Sequence, residues 1–264
     1  MLKARPVKFT FSEGTSRHWF GNDPFKTHWL NSYTLIIPEG EKFILRTTKR
    51  YVDQVDGELK EQVLGLLAQE AMHSKEHERF FHNLRLHGYR IEAYLRGYRF
   101  ISYKVLERLG GLVIGPKILL STAAGLEHVN AVIAEIGLTG DFLAGAEPEL
   151  RALFEWHYAE EIEHKAVVYD VLQKMAPSYW LRLLGMFFAT TIFVGSLVVG
   201  TIVLLRQDGL LFSRRSWSEG ARFFFVQPGF WGKYWSAFKA YLRPQFHPNE
   251  RDNYGLAREV LARL

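Results

Sequence analysis

The chain has 264 residues, no cysteine and a formal net charge of +5. Without cysteine, disulfide staples and thiolate metal sites are excluded, so any metal must be held by oxygen and nitrogen. A basic balance suits nucleic acid, an anionic membrane surface or acidic substrates; no nucleic-acid motif accompanies it, so the membrane surface is the better match.

Residues 1–37 are aromatic-rich, lack the apolar run of a signal peptide and read as an irregular or short-stranded wrap. Pro38 is placed to open a helix over about 39–56, and Gly57 separates it from a second helix over about 59–87. A Tyr/Arg-rich helix near 90–108 follows. Gly110, Gly111 and Pro116 then punctuate the chain before a helix over about 117–136. A long helix from about 148 to 175 ends before Pro177.

Leu183–Leu205 is 23 residues without a charge, bracketed by Arg182 and Arg206. That reaches the ~20 apolar residues a bilayer core requires. The Lys and Arg counts on its two sides nearly balance, which gives no orientation. Gly185, Gly195 and Gly200 keep a buried bundle helix or a homodimer-interface helix open as alternatives. From Arg214 to Arg243, Arg and Lys interleave with aromatics from Trp217 to Tyr241, the composition of an interfacial anchor or of a cover over a bundle mouth. The layout expected is a wrap over 1–37, a helical bundle over 38–176, and an apolar helix with a basic, aromatic tail over 177–264.

The chemistry is carried by an echo. Glu70-Ala-Met-His73 returns ninety-one residues later as Glu161-Ile-Glu-His164. Residues three apart share a helix face, so each copy aims a carboxylate and an imidazole at one place. Hairpin arithmetic supplies two more carboxylates. Glu41 lies sixteen residues before Gly57 while Glu70 lies thirteen after it; Glu127 lies ten before Gly137 while Glu161 lies thirteen after Pro148. At ~1.5 Å per residue these pairs reach similar depths. Glu39 and Glu135 are the substitutes. His157, four before Glu161, joins the same face, and His77 is its counterpart four after His73. Glu76, Glu78, Glu160 and Glu163 fall out of phase and read as solvated or paired with Lys75, Arg79 and Lys165. Asp170 is placed to orient an imidazole, His73 included, or to form a structural salt bridge. His18 and His28 read as packing residues. The expected fold is all-α: a ferritin-like four-helix bundle around a dimetal-carboxylate site, with extra helices and the long apolar helix.

The order Glu, Glu-x2-His, Glu, His-x3-Glu-x2-His resembles the ligand set of p-aminobenzoate N-oxygenase-type di-iron proteins, which are ferritin-like. The wider text is similar to a bacterial family described as predicted metal-dependent hydrolases, through RHWFGNDPFKTHWLNSYTLIIPEGEKFI, QEAMHSKEHERFFHN, WHYAEEIEHKAVVYDV and YLRPQFHP. The first resemblance implies oxygen chemistry and the second hydrolysis.

The ligand set expected is thus Glu41, Glu70, His73, Glu127, His157, Glu161 and His164, holding two metal ions. Iron leads, with manganese or zinc as alternatives. Iron would activate dioxygen towards a small hydrophobic or amine substrate, making the chain a di-iron oxygenase. Manganese or zinc would activate water for hydrolysis. A ferritin-like metal-binding protein without turnover is the third reading. The expected location is cytoplasmic, attached to the cytoplasmic membrane through residues 183–205.

Overall fold

A computed structural model describes residues 2–140, 142–226 and 230–263, and within them the regular structure is helical apart from one isolated β-bridge between Phe20 and Ala146. Helix α1 (Pro24–Thr48) starts well before Pro38. Asp23 caps it by accepting from the Lys26 amide at 3.1 Å, and Pro24 occupies the first turn, where a missing N–H costs nothing. Pro38 therefore sits inside the helix rather than opening it. α1 is buried on most of its circumference against α2 (Gly57–Leu86) and α8 (Tyr179–Gln207), and that packing outweighs the hydrogen bond the ring removes. A 3₁₀ turn over Lys49–Gln54 and Gly57, at φ +54°, turn the chain into α2.

Next come α3 (Glu92–Arg99), a π-helical stretch (Phe100–Glu107) and α4 (Arg108–Val113). α5 (Pro116–Leu138) and α6 (Pro148–His164) each begin on a proline. The single helix expected over 148–175 is broken after His164, and α7 (Val167–Met175) resumes it. The break is set by tertiary contacts: Lys165 is buried there, and its ammonium donates to the carbonyl of Arg251 and to Asn253 Oδ1. α9 (Arg214–Phe225), α10 (Phe230–Tyr241) and α11 (Tyr254–Leu261) complete the order.

Four helices define the interior. α1 packs on α2, α2 on α6, α6 on α5, and α5 on α1, which closes a ring. α8 lies along α1 and α5, and it is long and apolar enough to cross a membrane by length and composition. One stripe of it is core: Met186, Ala189, Phe193, Leu197 and Leu204 are buried. Its glycines explain how closely it lies. A Cβ on Gly185 would fall 2.1 Å from Ser121 Oγ of α5, and one on Gly200 would fall 2.8 Å from Ser32 Oγ of α1. The opposite stripe, with Trp180, Phe187, Val194 and Val199, is exposed.

The segment before α1 runs along the ring without regular structure. Phe9 NH donates to Glu76, the amide of Gly21 to the carbonyl of Gly145, and Trp19 Nε1 to Asn31 of α1. Trp19 stacks between Phe20 and Phe154, so aromatic surface buried on the ring holds this segment in place.

Candidate metal centre

Each helix of the ring sends acidic or imidazole groups inwards. α1 supplies Glu41, α2 supplies Glu70 and His73, α5 supplies Glu127, and α6 supplies His157, Glu161 and His164. All seven are buried. They form two overlapping quartets: Glu41, His73, His157 and Glu161 in one, and Glu70, His73, Glu161 and His164 in the other. Within each quartet the donor atoms lie within 4.8 Å of one another. His73 and Glu161 belong to both.

The distances define which atoms face the middle. His73 Nδ1 lies 3.6 Å from Glu41, 3.8 Å from Glu70 and 4.0 Å from Glu161. His157 Nδ1 lies 3.7 Å from Glu41, and its Nε2 lies 3.3 Å from Glu161. His164 Nε2 faces Glu70 at 3.4 Å, while its Nδ1 donates to Glu127 Oε2 at 2.9 Å. Glu127 is thus at the centre but outside both quartets. The alternatives Glu39 and Glu135 are elsewhere: Glu39 takes Arg99 at 2.7 Å, and Glu135 takes Arg251 at 2.6 Å.

The electrostatics of the seven residues alone are unfavourable. Burial pushes the Glu41, Glu127 and Glu161 carboxyls well above the usual carboxylate range, and the neighbouring Glu70 pushes them further. His157 is driven well below its ordinary value by burial and by His73. Every one of the seven leaves at least one buried donor or acceptor without a hydrogen-bond partner; the orphaned atoms include Glu41 Oε1, both oxygens of Glu70, His73 Nδ1 and His164 Nε2. A native interior rarely tolerates one such atom uncompensated, and here they converge. Cations at the two quartets would supply both the missing charge and the missing partners, so the donor set fits metal ions.

Several residues outside the seven orient them. Glu160 is buried, not solvated, and accepts from His73 Nε2 at 3.0 Å. That contact leaves Nδ1 as the lone-pair nitrogen, turned to the quartets. With no cation present, burial resists charging His73, but its hydrogen bond to Glu160 and the nearby Glu70 and Glu41 carboxylates prevail and raise it well above its ordinary value. Arg5, from the N-terminal segment, donates to Glu160 at 2.7 Å and to Glu163 at 2.8 Å. Glu76 is likewise buried, between the Phe9 amide and Arg79. Ser74 donates to Glu41 Oε2 at 2.9 Å, and Asn130 to Glu161 Oε1 at 3.3 Å. Asn130 was findable, since it lies three after Glu127, the same spacing as in the echo. Glu160 was not, because its phase on α6 only makes sense once α2 lies beside it.

Other expectations need correcting. His77 is buried with its Nδ1 3.3 Å from Thr34 Oγ1, and its ring is 4.9 Å from that of His157. Of the two readings of Asp170, the structural salt bridge is the one that forms: it does not reach His73 but pairs with His247 at 2.8 Å. His18 and His28 are not mere packing residues. Both rings reach Asp208 Oδ2, at 2.7 and 2.8 Å, where Tyr89 also donates and Arg17 holds the other oxygen. Burial of Asp208 opposes its charge, but these bonds, that of His28 foremost, hold it well below the usual carboxylate range. A guanidinium on the same carboxylate makes this a latch between the N-terminal segment and the end of α8.

No curated protein and no solved structure matches the chain. A family model does, over residues 3–252, and its description is "predicted metal-dependent hydrolase". With a buried Glu/His cluster suited to metal ions and a match across nearly its whole length, the chain belongs to the predicted metal-dependent hydrolase family.

Proposed function

We propose that the chain is a hydrolase with a two-metal centre in a ferritin-like four-helix bundle, with Glu41, Glu70, His73, Glu127, His157, Glu161 and His164 as its ligand set. One observation carries this: two quartets of buried donors overlap at Glu161, whose carboxylate oxygens can serve two adjacent cations, while the single free lone pair of His73 Nδ1 can serve one of them. When bound, two divalent ions would supply Lewis acidity and lower the pKa of a coordinated water. The oxygen and nitrogen donors suit iron, manganese or zinc.

The protein's own part is positioning. Glu161, held by Asn130, spans the two quartets; Glu160 fixes the His73 tautomer; Ser74 holds one oxygen of Glu41 and leaves the other for the centre. Glu127 meets the centre through Oε1, which has no partner, while Oε2 steadies His164.

A second reading is a di-iron oxygenase acting on a hydrophobic or amine substrate. It is favoured by His157, a third imidazole that faces the Tyr33 hydroxyl at 3.4 Å among aromatic rings rather than an aqueous cleft. The test is metal analysis of anaerobically purified protein, followed by p-nitrophenyl ester hydrolysis with and without oxygen. Metal-dependent hydrolysis that ignores oxygen supports the first reading. Oxygen consumption at an iron-loaded centre, with no ester cleaved, overturns it in favour of the second.

A further inference from the structure

Beside the metal centre lies a cavity that the ligand set does not use. α1, α5, α8, α9 and α10 enclose a volume of about 490 Å³, and Phe25, Trp29, Leu197, Phe224 and Tyr234 are among its walls. That is the size of a small-molecule site, and among the described residues no charged side chain lines it. One lining residue reaches the centre, and a second lies beside it. Tyr33 is buried with its hydroxyl 3.4 Å from His157 Nε2. Tyr158, the neighbour of His157 in sequence, is fully buried and its hydroxyl has no hydrogen-bond partner. Other lining residues face outwards: Val194, Val198, Trp217 and Phe225 are exposed, Phe225 by 73%. The cavity therefore runs between an apolar surface and the wall of the metal centre.

We propose that this cavity holds the acyl chain of a lipid-like ester, with the carbonyl against Tyr158 and Tyr33 beside His157. This deepens the hydrolase reading and rests on it. The walls select the chain because they offer an apolar group full contact and offer a charge no counterion. The orphaned Tyr158 hydroxyl selects the head group because it is a donor awaiting an acceptor. In the reaction, water's oxygen bonds to the carbonyl carbon, the acyl–oxygen bond breaks, and a proton from that water passes to the departing alcohol. No oxidant or reductant is consumed.

The probe is cis-parinaric acid, a fluorescent fatty acid, titrated into the purified full-length protein. The expected result is saturable, one-to-one binding. Ala221→Phe fills the cavity from an exposed position on α9, and Val194→Arg puts a charge at its exposed lip; each weakens binding at least tenfold. Leu112→Phe, on the exposed surface of α4 and away from the cavity, leaves binding unchanged. Equal affinity in all four proteins means that the probe only coats exposed apolar surface, which overturns the proposal.

Hydrolysis separates the two claims. Ala221→Phe is expected to raise the ratio of KM for p-nitrophenyl octanoate to KM for the acetate at least tenfold. If parinarate binds as described but neither ester is cleaved, the cavity stands and the hydrolase reading fails. If both esters are cleaved and that ratio does not move, the hydrolase reading stands and the cavity proposal fails.

Discussion

Glu160 offers the sharpest test of the metal centre, because it touches no orphaned donor and acts only through His73. Its carboxylate accepts from Nε2 at 3.0 Å, both groups are fully buried, and Arg5 anchors its far oxygen. Such carboxylate–histidine contacts typically set metal affinity by about 10–100-fold, equal to about 1.4–2.7 kcal/mol. Glu160→Gln keeps an acceptor for the ring N–H but loses the charge, so it belongs at the ~10-fold end of that range. Glu160→Leu leaves Nε2–H buried without a partner and belongs at the ~100-fold end. Arg5→Ala is milder still, since Arg5 is 29% exposed and water can replace it. The assay is competition for zinc or manganese against a chelating dye, with circular dichroism to check folding. A Glu160→Leu affinity within twofold of the wild type would refute the argument that Nδ1 is the coordinating nitrogen.

Two other perturbations follow from the same geometry. His164→Ala should abolish binding of at least one metal ion, whereas Glu163→Gln should leave loading nearly intact, because Glu163 faces Arg5 and Gln69 instead of the quartets; equal metal content in the two variants contradicts the assignment. Asp208→Asn should cost about 2–3 kcal/mol in urea unfolding at pH 7, the scale of a lost charged acceptor. The folded pKa of Asp208 is depressed, so its contribution is complete above the unfolded value near ~3.9 and fades as pH falls through the folded one. The stability gap between wild type and variant should therefore narrow in strong acid. A gap that stays constant between pH 7 and pH 2 would sink the latch argument.

What could be read from the residues is what repeats locally. Spacings of three and four put Glu70 with His73, and His157 with Glu161 and His164, and two proline-led helix starts were visible at Pro116 and Pro148. Loop-to-ligand distances favoured Glu41 over Glu39 and Glu127 over Glu135, and Glu41 and Glu127 are the two that lie buried beside the clustered imidazoles. What could not be read depends on surfaces meeting. Pro38 looks like a start signal until α2 and α8 bury the helix on both sides of it. His18 and His28 have no partner in sequence because Asp208 lies at the far end of α8. Glu160 is off-phase for α6 but in place for His73 of α2.

The contact that breaks the long helix also bears on the order in which the centre becomes ready during synthesis. All seven inward-facing residues have been translated once the ribosome passes His164, yet Lys165 is buried and its ammonium has its hydrogen-bonding partners only at Arg251 and Asn253. Until those residues emerge, α11 does not yet cover Lys165, whose ammonium is then solvated by water, and the last turn of α6 lacks the anchor that fixes it beside His164. A nascent chain can thus display the whole Glu/His set for most of a hundred further residues without a fixed final imidazole. Tight metal capture is thereby deferred until the segment from Arg251 to Leu261 has joined α6.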